Sequence, residues 1–177
     1  MNLRLLLPCA SLVLLAACSA GPTATKLHPD WQPYDNAAQG YSMKLPSMWD
    51  IGHAQVGGDI VAFNDKDATY KLEVFTQPTA SADVTEYLKK YDAEMANGFE
   101  GQPSLRVDGS SDVMVAGLRA VERREYGLAS DMHTLMTYIL HGGKMMEITF
   151  MREDGKELSA SDLALARDII ATLVIRK

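Results

Sequence analysis

Few side chains in this sequence combine a reactive type with a meaningful spacing. Cys18 is the clearest. Its thiol follows Leu15-Ala16-Ala17, so a nucleophilic sulfur stands beside two small residues that a narrow peptidase site accepts. The four histidines, His28, His53, His133 and His141, are dispersed. His133 and His141 share one face of a predicted strand, but eight residues of strand hold them ~27 Å apart, too far to bind one metal within it. Clustered thioethers can hold Cu(I), and the chain has Met43, Met48, Met95, Met114, Met132, Met136, Met145, Met146 and Met151 beyond the initiator. Met145 and Met146, however, are strand neighbours and point to opposite faces. Met43, Met95, Met132 and Met136 fall on apolar stripes and read as adaptable core filler. Asp108, Asp112, Asp131, Glu147 and Asp154 are scattered acids, whereas acid–base work needs carboxylates that converge. There is no GxGxxG, phosphate-loop, GxSxG or HExxH pattern. The residues therefore predict no enzyme, no cofactor and no metal site. One charged stretch remains: Arg119, Glu122, Arg123, Arg124 and Glu125 lie within a predicted strand, Leu118–Tyr126. Its mixed charge predicts a solvated edge strand that resists strand pairing, and its polar surface is the candidate contact for a partner.

These residues sit on a chain whose start reads as a leader. Met1–Arg4 carries one positive charge, and Leu5 to Ala17 is apolar apart from Pro8, Cys9 and Ser11. A stretch of about thirteen residues is short of the roughly 20 that a membrane-spanning helix needs. Residues 1–17 therefore read as a signal peptide. Leu15-Ala16-Ala17-Cys18 resembles the bacterial lipobox. The resemblance implies a diacylglyceryl group on the Cys18 sulfur, cleavage before Cys18 and acylation of the new amino group. The alternative is an ordinary secretory signal, with Cys18 incidental. Two or three acyl chains make a stable anchor, because each buried CH2 contributes about 0.8 kcal/mol. Ser19 follows the cysteine in place of aspartate. By the sorting rule of enterobacteria-like lipoproteins, this implies the periplasmic face of the outer membrane rather than the inner membrane. Cys9 leaves with the leader and Cys18 carries lipid, so no free thiol remains for disulfides, Cys–zinc sites or thiol catalysis. Losing Arg4 takes the 17 basic residues to 16 against 23 acidic ones, a net charge of −7 in place of −6. An acidic domain disfavours nucleic acid, and anionic lipid repels it, so the lipid on Cys18 is the expected membrane contact.

Residues 18–39 read as lipidated cysteine and flexible tether, marked by Gly21, Pro22, Pro29 and Pro33. About 20 extended residues reach at most ~70 Å. Trp31 and Tyr34 are large for a linker and are expected to dock the tether's end on the domain. Residues 40–177 read as one domain. Alternation in Tyr41–Leu45 predicts a strand stopped by Pro46, and Asp59–Phe63 and Tyr70–Phe75 predict two more. Val84, Tyr87, Leu88, Tyr91 and Met95 line one face of a predicted helix over Asp83–Phe99. Strands are predicted at Leu105–Val113, Leu118–Tyr126, Met132–Leu140 and Lys144–Arg152, with His141-Gly142-Gly143 as a tight turn. Ser159 and Asp162 suit the start of a final helix, Ser159–Ile175, with a stripe of Leu163, Ala166, Ile169, Ile170, Leu173 and Val174. Met132–Leu140 is apolar on both faces, which predicts an interior strand covered above and below. The expectation is α+β: an antiparallel sheet of about seven strands with helices on both faces, an α/β/α sandwich.

Gly40-Tyr41-Ser42-Met43-Lys44-Leu45-Pro46, followed by Trp49, resembles the opening strand of the PsbP-like fold. The order of elements from Gly40 to Lys177 is similar to it as well. That fold is shared by the extrinsic photosystem II protein PsbP and a nuclear Ran-binding factor. The resemblance implies a non-enzymatic adaptor or assembly factor, and it brings no ligand residues with it. The expected function is a membrane-anchored envelope lipoprotein that binds an envelope protein. The alternative is a periplasmic carrier for a small molecule or lipid, which requires an apolar cavity between sheet and helix.

Overall fold

A computed structural model describes residues 30–53, 60–98 and 101–176. The leader, Cys18, His28 and the first part of the predicted tether lie outside the described residues. Among the described residues ten strands and two helices follow in the order β1 (Gln32–Asn36), β2 (Tyr41–Leu45), β3 (Trp49–His53), β4 (Ile60–Asp65), β5 (Tyr70–Pro78), α1 (Val84–Asn97), β6 (Leu105–Val115), β7 (Leu118–Gly127), β8 (Met132–His141), β9 (Lys144–Arg152), α2 (Ala160–Ile170) and β10 (Val174–Ile175).

Short-range turn chemistry sets the large sheet. Gly142 and Gly143 both have left-handed backbone, with φ of 57° and 74°, and this turn pairs His141 with Lys144 across β8–β9. Ala116 and Gly117, with φ of 51° and 77°, do the same for Val115 and Leu118 across β6–β7. Two consecutive left-handed residues match the right-handed twist of the flanking strands. The result is an antiparallel seven-stranded sheet in the order β3-β4-β5-β9-β8-β7-β6, with β6 at one edge. A separate three-stranded sheet has the order β1-β2-β10.

Strand alternation sends side chains to two cores. Leu135, Ile139, Ile148, Phe150, Leu72 and Val74 face one side. There they pack with Ala166, Ile169 and Ile170 of α2 and with Tyr41, Met43 and Leu45 of β2. Met136, Tyr138, Met145 and Val121 face the other side and meet Val84 and Leu88 of α1. β8 is thus interior and apolar on both faces, as its sequence predicts. The helices alone do not cover the sheet. One face carries α1, and the other is shared between α2 and the small sheet.

Three elements depart from expectation. Gln32–Asn36, assigned to the tether, is a strand paired with β2. Pro33 is tolerated there because β1 is an edge strand, where a missing N–H costs no ladder bond. Trp31 and Tyr34 pack on the first core, and the Gln32 side chain donates to the Trp49 carbonyl oxygen at 2.6 Å. Trp49–His53 forms a strand that the sequence reading passes over. The last helix stops at Ile170, well before Ile175. The Thr172 hydroxyl accepts from the Lys44 N–H at 2.8 Å and donates to the Ile169 carbonyl at 2.7 Å, and Val174–Ile175 then pairs with β2. Its two β-branched residues favour that pairing over a further helical turn.

Candidate functional site

The charged strand β7 carries the predicted contact residues, and its position in the sheet decides what they can do. β7 lies between β6 and β8, so it is not the solvated edge its charges suggested. Glu122, Arg123 and Glu125 are buried, and Arg119 and Arg124 remain exposed. The reason is pairing with partners distant in sequence. Alternation sends Arg123 and Glu125 to the α1 face and Glu122 and Arg124 to the α2 face, so the five residues do not form one surface.

On the α1 face, Arg123 is 3% exposed. Its Nη2 donates to Asp92 of α1 at 2.7 Å, and its Nε stands 3.2 Å from Glu125. The Tyr138 hydroxyl donates to the same Glu125 carboxylate at 3.0 Å, and the guanidinium lies 6.0 Å from the Tyr138 ring centre. Nη1 of Arg123 has no partner among the described residues. Burial pushes the Glu125 carboxyl above its ordinary value, against the pull of Arg123. Further along α1, the Tyr87 hydroxyl donates to Glu147 at 2.5 Å, and Gln77 donates to both at 2.9 Å. Burial, then the Glu147 carboxylate, raises the Tyr87 phenol and keeps it protonated. Two of the five residues on the apolar face predicted for α1 are therefore tyrosines. The rings pack inward, while the Tyr87 hydroxyl reaches the Glu147 carboxylate on the sheet and that of Tyr91 meets Tyr138.

On the other face Glu122 takes a two-point ion pair from Arg167 of α2, with Nε–Oε2 at 3.0 Å and Nη2–Oε1 at 2.5 Å. Asp162 opens α2 with a capping box to Ser159 and accepts from the Tyr70 hydroxyl at 2.7 Å. Burial works against the Asp162 carboxylate, but the Tyr70 and Ser159 bonds prevail and hold its pKa down.

The β6–β7 hairpin borders a groove on each face. The groove of about 720 Å3 on the α1 side lies between Leu88, Lys89 and Asp92 of the helix and Val107, Asp112 and Arg119 of the hairpin. One of about 310 Å3 on the α2 side lies between Leu163 and Arg167 and the strand residues Gly109, Ser111, Glu122 and Arg124. The acids of both grooves are held by arginines: Asp92 by Arg123, Asp112 by Arg119 at 3.1 Å and Glu122 by Arg167. Lys89 and Arg124 line the grooves without an ion pair among the described residues. The Arg124 guanidinium lies against Gly109, where a β-carbon would come within 3.0 Å of it.

Sequence reasoning reached Arg119, Glu122, Arg123, Arg124 and Glu125 but missed Lys89, Asp92, Tyr138 and Arg167. Asp92 and Lys89 stand on the polar side of the α1 pattern, and one further signal pointed to them: α1 is too short of aliphatic residues to cover its face of the sheet alone. Of the four methionines expected in the core, Met43 and Met136 are buried, whereas Met95 and Met132 are only half-buried. Met145 and Met146 are buried in the two cores as well, while Met48 and Met114 are exposed. No group of three or more His, Cys, Asp or Glu residues among those described could hold a metal ion.

No family model matches this sequence, and no curated protein matches it. Solved structures do. The chain is similar to the cyanobacterial PsbP of Synechocystis sp. PCC 6803, CyanoP, at a TM-score of 0.59 and 15% identity, covering 91% of this chain and 98% of that one. It is also similar to Mog1p, a Ran-binding protein of Saccharomyces cerevisiae, at a TM-score of 0.53 and 10% identity, covering 82% and 95%. The antiparallel sheets and two helices thus make a PsbP-like fold.

Proposed function

We propose that this chain is a non-catalytic envelope lipoprotein whose domain binds another protein. Lipid on Cys18 tethers it at the periplasmic face of the outer membrane. We read its architecture as a variant of the α/β/α sandwich in which the small sheet completes the α2 layer. One observation carries the binding reading: the two grooves flanking β6 are open surface features whose acids are already engaged by arginines. Proton-transfer catalysis needs a carboxylate free to give or take a proton, and a recognition surface needs fixed charge and shape. Mog1p is a Ran-binding protein, so this fold carries protein recognition in that neighbour. The tether rests on Leu15-Ala16-Ala17-Cys18. A carrier would need an enclosed apolar cavity between α1 and the sheet; Met136 and Met145 pack there against Val84 and Leu88, and the groove beside them is open and lined by Lys89, Asp92, Asp112 and Arg119.

The test is mass spectrometry of the protein extracted from membranes, with crosslinking in intact cells. The expected result is a diacylglyceryl-modified Cys18 at the new N-terminus and a crosslinked envelope protein. An unmodified Cys18 removes the tether, and recovery of monomer alone removes the binding reading.

A further inference from the structure

β6 is the last strand of the seven-stranded sheet, and among the described residues its backbone pairs with β7 alone. The outer row of N–H and C=O groups on this eleven-residue strand therefore has no strand partner among the described residues. Soluble proteins commonly protect such an edge with prolines, inward charges or bulges. β6 has no proline, its charges Arg106, Asp108 and Asp112 are taken up in the Arg106–Asp108 and Arg119–Asp112 pairs, and its register shift lies near its start, between Val107 and Gly109. From Gly109 to Val115 the pairing with β7 is regular. This stretch is long enough for an added strand of ordinary length.

The surroundings select what would add there. A strand laid beside β6 sends successive side chains to opposite faces of the sheet. One set reaches the α1-side groove, and the other reaches the α2-side groove. Each groove holds one cation without an ion pair among the described residues, Lys89 above and Arg124 below; the acids that line them pair with Arg123 (which also serves Glu125), Arg119 and Arg167, and Asp108, near Arg124, pairs with Arg106. The rim is thus locally cationic on a chain with a net charge of −6. Val107 at 41% and Met114 at 69% exposure give apolar contacts at the two ends of the strand.

We propose that the β6 edge is a strand-addition site for an extended acidic segment of a partner protein. The backbone ladder supplies binding, and Lys89 and Arg124 select acidic side chains on both faces. This deepens the protein-binding reading above and rests on it.

The direct test uses full-length protein and a labelled nonapeptide, Thr-Val-Glu-Glu-Val-Glu-Glu-Val-Thr. The acidic peptide is expected to bind saturably, and its counterpart with lysine at every glutamate to bind about tenfold more weakly. N-methylation at alternate peptide residues, which removes ladder donors without changing charge, is expected to abolish binding. Lys89→Glu and Arg124→Glu each weaken the acidic peptide roughly fivefold and leave the urea midpoint unchanged, since both residues are exposed. No binding, equal binding of the lysine peptide, or equal binding of the N-methylated peptide overturns the proposal. A photocrosslinker at Met114 or at Val174 in intact cells separates this failure from failure of the wider reading. An adduct at Met114 with an acidic segment of another protein is expected. An adduct with a second copy, or with residues ahead of Asp30, overturns the edge proposal. Partner adducts at Val174 alone overturn it while leaving protein binding in place, and no adduct at either position removes both.

Discussion

Arg123 is a guanidinium held out of water by two carboxylates, Asp92 and Glu125, and a tyrosine ring. Removing Arg123 leaves the Glu125 carboxylate buried and uncompensated, while Asp92, half exposed, returns to water. Arg123→Ala is therefore expected to cost about 3 kcal/mol at neutral pH, read as the loss in urea unfolding free energy. The cost should shrink on acidification, because the stranded Glu125 carboxyl then takes a proton. In the intact protein Glu125 already sits above its ordinary pKa. The folded chain thus binds a proton at pH values where the unfolded chain does not. Between the ordinary carboxylate value of 4.5 and the raised one, this group adds stability as the pH falls and loses it as the pH rises. Asp162 has the opposite sign: its pKa is held down, so its contribution is full above the ordinary carboxylate range and disappears as the pH falls through its folded value. Glu125→Gln should erase the first effect and spare the second. A urea midpoint followed from pH 7 to pH 4 checks this, and a variant that still gains stability on mild acidification would show that another group is responsible.

At the scale of elements, the β6–β7 turn places Ala116 at φ 51° beside Gly117 at φ 77°. An alanine in left-handed backbone costs roughly 1–2 kcal/mol. Ala116→Asn converts the turn to the favoured Asn-Gly pair. It is expected to raise the thermal midpoint by a few degrees in calorimetry. Asp83, whose side chain accepts from the Glu86 N–H, caps α1. Asp83→Ala should cost about 1 kcal/mol, and greater amide exchange through α1 would show that the loss is local. Elements with strong periodicity were legible in the sequence. α1 showed the 3.6-residue spacing of Val84, Leu88 and Tyr91, and β8 showed apolar residues on both faces. β1 was hidden because Pro33, Asp35 and Asn36 have the composition of a linker, and only pairing with β2 makes them a strand. β10 was hidden because its two residues continue the apolar pattern of α2. The site was half legible: β7 announced its charges, but the partners of Arg123 and Glu122 lie 31 and 45 residues away, and no local pattern shows such a pairing.

For the whole molecule, the two helices and the small sheet divide the faces of a single large sheet, and the residue proposed to hold the domain at a membrane lies ahead of β1. Cys18→Ser should release the protein from the membrane fraction without changing the circular dichroism of its domain. Retention in the membrane pellet after carbonate extraction would contradict lipid anchoring. The position of α2 and β10 has one further consequence. Residues 160–175 follow in the chain every strand of the sheet face they cover, and β10 closes the small sheet by pairing with β2, more than 120 residues earlier, as Lys44 and Thr172 also show. A ribosome therefore releases these residues only after the whole large sheet has been synthesised. Until then Leu72, Val74 and Phe150 are covered only by the β1–β2 side of that face and lack the α2 residues Ala166, Ile169 and Ile170, so the chain cannot lock into its final state. Late closure of this kind would suit the export proposed above, because a chain that cannot yet close stays loose enough to pass a narrow channel before it folds.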